Sequence, residues 1–406
     1  MPTTFAYKVR DREGRLVEGN LEADSSDLVA GKLRSMGYVP IAIERGDSSA
    51  LKKDVKLPGI GGKVKQKDVA VFCRQFATMI NAGLSLIRAL GILEEQTENK
   101  KLAETAKAVR LDVEKGASLA QALGRHPKVF NRLFVAMVKA GETGGVLDGV
   151  LQSLASTIEK QVELKRKIKS AMTYPVAVLV LVLCIVAAML VFVVPTFETL
   201  YEGLGGTLPA PTRALITVSG FITKFAPFIV VATVAFVFGF KRWVATESGR
   251  AIWDRVKLKV PIFGKLIHKT SITRFCRTLA VLLRSGVPVL ESLEITSETV
   301  GNVVVANAVK DTQEAVRTGE ALATPLSRHA VFPPMVVQML AVGEETGNVD
   351  DMLDRVADFY DQEIEAMVEA LTSLLEPLLI VVMGGTVGGM VVALYMPMFN
   401  IINLVQ

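Results

Sequence analysis

Cysteine and histidine are scarce in this chain, with three of each among 406 residues. Cys73, Cys184 and Cys276 form no CxxC pair. Neither a disulfide framework nor a thiolate zinc site is written in that spacing. All three are expected to be small buried hydrophobes in a reducing compartment. His126, His268 and His329 have no second His or Cys at ligand spacing. HExxH, GxSxG and a Ser/His/Asp order are also missing, so the sequence offers no catalytic residue and calls for no cofactor. Gly59-Ile60-Gly61-Gly62-Lys63 lacks the spacing of a phosphate loop and reads as linker. Aromatics make up only 6% of the residues, and the net charge of +5 is not gathered into a basic run interleaved with aromatics. That excludes a nucleic-acid partner. Met1 to Arg10 is too polar for a signal peptide, so the N-terminus is expected to be cytoplasmic.

Charge itself is missing from three long stretches. Half of the residues are hydrophobic, and they are concentrated rather than spread. An uncharged run from Val176 to Val194 lies between Pro175 and Pro195 and defines a transmembrane helix over 174–196. A second helix is predicted over 219–241, with Lys224 near one edge able to snorkel and Pro227 as a kink point. The third, 376–397, contains the charge-free run Pro377 to Met396. Each is long enough to cross ~30 Å of hydrocarbon at ~1.5 Å per residue. Lys160, Lys165, Arg166, Lys167 and Lys169 precede the first span, and Lys241 and Arg242 follow the second. The positive-inside rule then puts 197–218 and the tail 398–406 outside, with the N-terminus inside. Gly384, Gly385, Gly388 and Gly389 make two overlapping GxxxG patterns, which let another helix approach closely.

The chain also repeats itself. Shifted by 203 residues, Phe72-Cys73-Arg74 meets Phe275-Cys276-Arg277, Gly83 meets Gly286, Gly116 meets Gly319 and His126 meets His329. Gly141-Glu142-Thr143-Gly144 corresponds to Gly343-Glu344-Glu345-Thr346-Gly347 with one insertion, and Pro175 and Pro195 correspond to Pro377 and Pro397. Two copies of a helical-bundle domain are therefore expected, 67–172 and 250–374, both cytoplasmic. In copy one Asp68 is the expected helix cap. Helices follow over Leu86 to Gln96, Leu102 to Glu114 and Phe130 to Lys139, and a last one runs from about Val146 toward the membrane. Gly141 to Gly145 is read as a tight interhelical turn. Residues 1–45 alternate and turn like a small α+β module, and 46–66 is a polar linker. The fold class is thus mainly α: a duplicated cytoplasmic helical bundle with three transmembrane helices behind a small α+β module.

Candidate sites are few. Glu142 with Asp148 is a weak candidate for a divalent cation. Glu142, Thr143, Gly144 and their counterparts Glu344, Glu345 and Thr346 offer a repeated surface to a partner. Asp354, Asp358 and Asp361 belong to an acidic stem before the third span, opposite in charge to the basic stem before the first. The stems pair within one chain or between chains, the acidic one meets a basic partner, or both are solvated helix faces.

Residues 67–90, KDVAVFCRQFATMINAGLSLIRAL, and 273–293, TRFCRTLAVLLRSGVPVLESL, resemble the opening of the domain shared by the PilC/GspF family. The run LLEPLLIVVMGGTVGGMVVALYMPMFNII, 374–402, resembles that family's C-terminal signature, and FAYKVRDREGRLVEG, 5–19, fits its N-terminal pattern. The resemblance covers nearly the whole chain. It implies a non-enzymatic platform protein of the inner membrane, for type IV pilus assembly or type II secretion. Such a platform couples a cytoplasmic hexameric ATPase to extraction of pilin or pseudopilin, beside other inner-membrane assembly subunits and as a homo-oligomer, a dimer ahead of other sizes. The YMPMF ending and LPAPT, 208–212, lean toward the pilus branch, with the secretion platform as the alternative. The competing class is a transporter or channel subunit, which should hide ionisable residues at depth in its spans; these spans have none there.

Overall fold

A computed structural model describes residues 3–10, 16–23, 25–45, 63–202 and 209–402. The Asp11–Gly14 turn, most of the 46–66 linker with its glycine run, the loop tip at 203–208 and the last four residues lie outside the described residues. Two compact units divide the chain at residue 63.

In the first unit, β1 (Thr3–Arg10), β2 (Leu16–Ala23) and β3 (Val39–Arg45) form an antiparallel sheet of order β2-β1-β3. Helix α1 (Ser26–Ser35) sits between β2 and β3 in sequence. Ser25 caps it by accepting the Leu28 N–H, which satisfies one of the orphan amides of the first turn. The alternation in β1 puts Phe5 and Val9 on one face, where they are buried with Val29 and Leu33 of α1.

The second unit is helical among its described residues. Copy one comprises α2 (Gln66–Asn81), α3 (Leu86–Gln96), α4 (Lys100–Glu114), α5 (Leu119–Gly124), α6 (Arg132–Gly144) and the 42-residue α7 (Leu147–Ala188). A π-helical turn, Met189–Val193, leads into α8 (Val194–Glu202). Next come α9 (Ala210–Val244) and α10 (Glu247–Lys259). Copy two repeats the first six helices in order: α11 (Phe263–Arg284), α12 (Val289–Thr299), α13 (Val303–Arg317), α14 (Ala323–Ser327), α15 (Pro334–Thr346) and the 54-residue α16 (Val349–Ile402).

The repeat extends to backbone and core. Gly83 and Gly286 end their helices at φ 81° and 78°, a left-handed conformation that costs a side-chain-bearing residue energy. Phe72 packs on Phe130 with ring centres 5.8 Å apart, and the matching Phe275 packs on Phe332 at 4.9 Å. His126 and His329 stand 203 residues apart, but Phe130 and Phe332 stand 202 apart. The length difference therefore falls in the loop after the histidines, not inside the Gly-Glu motif. Gly145 and Gly347 are the true mates, both left-handed at φ 69° and 75°.

Three other local expectations change. Asp68 lies one turn inside α2 and accepts the Lys65 N–H at 3.1 Å, so it closes the cap from within. Gly141 to Gly144 is the last turn of α6, and only Gly145 leaves the helix. Cys73 and Cys276 are buried as expected, whereas Cys184 is exposed on the apolar surface of α7.

Three helices are long and apolar enough to cross a membrane: Leu147–Thr199, Ala210–Val244 and Val349–Met396. They overrun the expected spans. α7 runs from the repeat into the first apolar stretch without a break, helical continuity resumes through Pro195, and α9 begins at Ala210 rather than near 219. The freed backbone of the π-helical turn finds a partner, because Ser219 donates to the Leu190 carbonyl.

Candidate functional site

The two stems, the parts of α7 and α16 between repeat and apolar stretch, lie against each other. Leu164, Ile168 and Ala171 of α7 meet Ile364, Val368 and Leu371 of α16. The spacing of each set follows one helix face, so two stripes close on one another. Salt bridges border the seam: Lys160 reaches Asp358 at 3.0 Å and Lys167 reaches Glu365 at 2.6 Å. The stems therefore pair within one chain.

Most of the acidic stem is bound by its own repeat. Arg277 of α11 is 6% exposed and donates to Asp354 at 2.9 Å, Asp358 at 2.8 Å and Asp361 at 2.6 Å. Burial works against the charge of this guanidinium, but the hydrogen bond to Asp358 and the surrounding carboxylates outweigh it, and its pKa is raised. One helical register further on, Arg284 gathers Asp350, Asp351 and Asp354 at 3.1, 3.0 and 2.9 Å. Lys269 takes Glu363 at 2.6 Å. In copy one, Arg74 is the mate of Arg277 and has, among the described residues, a single carboxylate partner, Glu159. That hydrogen bond raises the Arg74 pKa.

A cleft of ≈ 340 Å³ opens between α7 and α11 beside this network. Leu164, Ile168 and Met172 form its apolar wall, and Lys165, Lys169 and Arg274 line it. The repeats also touch directly: Arg132 of α6 bridges Glu294 and Glu298 of α12, and Val281, Leu282, Val287 and Ile295 enter the core of copy one.

The Gly-Glu motifs have a structural task. Glu142 accepts the N–H groups of Leu119 and Ala120 at 2.5 and 2.9 Å, and Glu344 those of Leu322 and Ala323 at 2.5 and 3.0 Å. Each carboxylate caps a short helix at its positive end. Gly141 and Gly343 allow this, because a Cβ there would press on Val150 at 3.0 Å and on Val349 at 2.8 Å. Thr143, Gly144, Glu345 and Thr346 remain exposed beside the caps. Asp148 lies in the first turn of α7. Among the described residues no cluster of three His, Cys, Asp or Glu side chains is placed to hold a metal. Gly384, Gly385, Gly388 and Gly389 have no atom within 4 Å of where a Cβ would stand. Their face of α16 is open within this chain.

Sequence reasoning missed Arg277 and Arg284 as the hubs of the acidic stem, and missed the Arg132 clamp. Arg277 was visible inside the repeated Phe-Cys-Arg motif. Its role was not, because the carboxylates it binds lie 77 to 84 residues away.

The profile of the family described as Type II secretion system (T2SS), protein F, matches residues 72–195 and 275–397. That of its N-terminal domain matches 1–44. The type IV pilus assembly protein PilC of Thermus thermophilus is 45% identical over 400 residues, 98% of each chain. The protein of the same description from Myxococcus xanthus is 40% identical, covering 99% of this chain and 96% of that one. The type II secretion system protein F of Aeromonas hydrophila is 33% identical over 95% of this chain and 99% of its own. Both halves of the repeat and both branches of relatives agree: the chain belongs to the type II secretion system protein F family.

Proposed function

We propose that the chain is the non-enzymatic inner-membrane platform of a type IV pilus assembly machine. In this reading it couples a cytoplasmic hexameric ATPase to pilin extraction and fibre assembly. The observation that carries the proposal is mechanical. α7 and α16 pass from the repeat cores into the apolar stretches as continuous helices, clamped together below the membrane by apolar contacts and ion pairs. A push on either repeat is then delivered to two spans together, because packed helices move as rigid bodies rather than bending locally. Positive charge before the first span and after the second supports cytoplasmic repeats, an external 197–218 segment and an external C-terminus.

The pilus branch is favoured over the secretion platform by the higher identity to the pilus assembly relatives, 45% and 40% against 33%. The exposed Thr143, Gly144, Glu345 and Thr346 are the surface we assign to cytoplasmic partners. The unfilled glycine face of α16 is assigned to a neighbouring membrane helix, from a second copy or from pilin. Crosslinking in cells through photoreactive residues at 143 and 345 tests the reading. Capture of a hexameric ATPase supports it. Capture of other cytoplasmic proteins instead, or ATP hydrolysis by the purified chain alone, overturns it.

A further inference from the structure

Helix α10 follows α9 after only two residues and has two different faces. One is pinned to the protein. Trp253 packs edge-on against Phe240 of α9 with ring centres 5.1 Å apart. Asp254 is buried, where it accepts the Val303 N–H at 3.1 Å and the Lys257 ammonium at 2.8 Å. Asn302 donates to the Asp254 carbonyl at 3.3 Å. These contacts fix the rotation of α10 about its axis. The other face is apolar and bare: Ile252, Val256 and Val260 recur every fourth residue and are 49%, 43% and 39% exposed. Ile262 and Phe263 extend the stripe at 47% and 38%.

Water is a poor solvent for such a face, and a contiguous apolar patch on a fixed surface marks a contact. Its setting names the contact. Trp253 stays within ring contact of Phe240, so α10 remains beside the charged end of the span while its buried face rests on copy two. Trp243, itself 42% exposed, stands at the same level. By helical position Arg255 and Lys259 flank the stripe and Lys265 follows it in sequence; all three are exposed, and no partner for their side chains is found among the described residues. A second, independent observation points the same way. Ile262 has φ 67°, the one positive value at a non-glycine residue among the described residues. A β-branched residue there is strained. The turn is held by Gly264, where a Cβ would collide with the Leu258 carbonyl, and it leaves Ile262 facing outward.

We propose that α10 and the turn 260–263 form an interfacial anchor: the Ile252–Phe263 stripe is immersed in the headgroup boundary of the bilayer and the surrounding cations bind anionic phospholipid. A helix with an apolar face and a cationic margin lies in the membrane plane, its apolar side ~5–10 Å deep. The anchor holds copy two at a set height below the membrane, because α10 is tied to α13 through Asp254. This inference rests on α9 crossing the bilayer.

The test uses the full chain with Cys184→Ala, reconstituted in nanodiscs with and without phosphatidylglycerol. An environment-sensitive fluorophore is attached to one introduced cysteine, at Val256→Cys, Phe263→Cys, Phe238→Cys within α9, or Gln121→Cys on copy one, with the native Cys73 and Cys276 buried and out of reach. Spin-labelled lipid should quench 256 and 263 several-fold more than 121, with blue-shifted emission, and phosphatidylglycerol should deepen the quenching in low salt. Quenching at 238 but not at 256 and 263 overturns the anchor while leaving the span intact. Shielding of 256 and 263 from aqueous quencher without lipid quenching also overturns it, because protein then covers the stripe. Absence of quenching at 238 itself overturns the span, and the anchor with it.

Discussion

Replacing Arg277 by Met tests whether the two repeats, alike in fold, differ in what holds their stems. Met keeps most of the side-chain length and removes the guanidinium. In copy two that strands Asp361 and takes from Asp354 and Asp358 a donor that is 6% exposed, leaving them with Arg284 and Lys160 alone. Breaking a buried pair from one side costs ~3–5 kcal/mol, because the remaining charge is left without compensation. The carboxylates here are 24% to 56% exposed, so water recovers part of that cost, and ~2–3 kcal/mol is expected. The mate, Arg74→Met, removes a pair that is 38% and 41% exposed. Exposed pairs contribute ~0.2–1 kcal/mol. Thermal unfolding of both variants in detergent should rank them clearly, with Arg277→Met lower by several degrees and Arg74→Met close to the parent. Adding Asp358→Asn and Asp361→Asn to Arg277→Met should restore part of the loss. Equal effects at 74 and 277, or no recovery on neutralising the carboxylates, would refute the reasoning.

Gly385→Leu and Gly388→Leu should leave insertion and thermal stability unchanged but reduce pilus output, since no atom of this chain lies within 4 Å of those Cβ positions; normal output from both would show the open face to be lipid-facing only. Cys73 and Cys276 should resist maleimide at neutral pH until the protein unfolds, because burial pushes the Cys73 thiol from an ordinary 9.0 up to about 12 and moves Cys276 the same way. A raised folded pKa means stability is retained below the unfolded value and lost above it, so unfolding midpoints should fall as pH climbs past 9.0. Leu204→Cys should react with an impermeant label on intact cells and Gln121→Cys should not; the reverse pattern would invert the topology. Lys167→Glu should impair assembly, and Glu365→Lys should recover it; failure of the recovery would mean that this lysine serves a partner outside the chain.

What the sequence reveals follows the range of the force involved. α3 was predicted from Leu86 to Gln96 and occupies those residues, because periodicity and flanking turn chemistry are local. The duplication was legible for a related reason, as glycines and aromatics must recur wherever a turn or a packing site recurs. α5 escaped notice because six residues hold less than two turns of pattern, and its N-terminus is closed by Glu142, 22 and 23 residues downstream. Cys184 was misjudged because an apolar span looks the same from its inner and outer faces, and only a neighbour distinguishes them. For the acidic stem the sequence left pairing with the basic stem and contact with an outside partner both open. Nothing near Asp354 in sequence signals Arg277, so that network appears only in three dimensions.

The place where the repeats diverge explains why duplication did not produce two interchangeable stems. Arg74 and Arg277 occupy the same position, yet α7 offers one carboxylate to the first and α16 offers three to the second. Beyond that site α7 carries Lys160, Lys165, Arg166, Lys167 and Lys169, while α16 carries Asp361, Glu363, Glu365 and Glu369. Two helices descended from one ancestor share an apolar stripe, and apolar stripes alone do not discriminate between partners. If charge were equal on both, α7 of one molecule would fit α7 of another as well as it fits α16. Opposite charge removes that degeneracy: α7 against α7, or α16 against α16, sets like charges side by side, and such juxtaposition disfavours the wrong pair more than the right pair is stabilised. Each correct pair is exposed and individually weak, so the sorting acts on which stems meet rather than on how firmly they hold. The apolar stripes from Leu164 to Ala171 and from Ile364 to Leu371 supply the adhesion. The basic stem on α7 answers an independent expectation, since positive charge before the first apolar stretch is what the positive-inside rule calls for on the cytoplasmic side. Once α7 is basic, α16 has to be acidic for the stems of one chain to find each other.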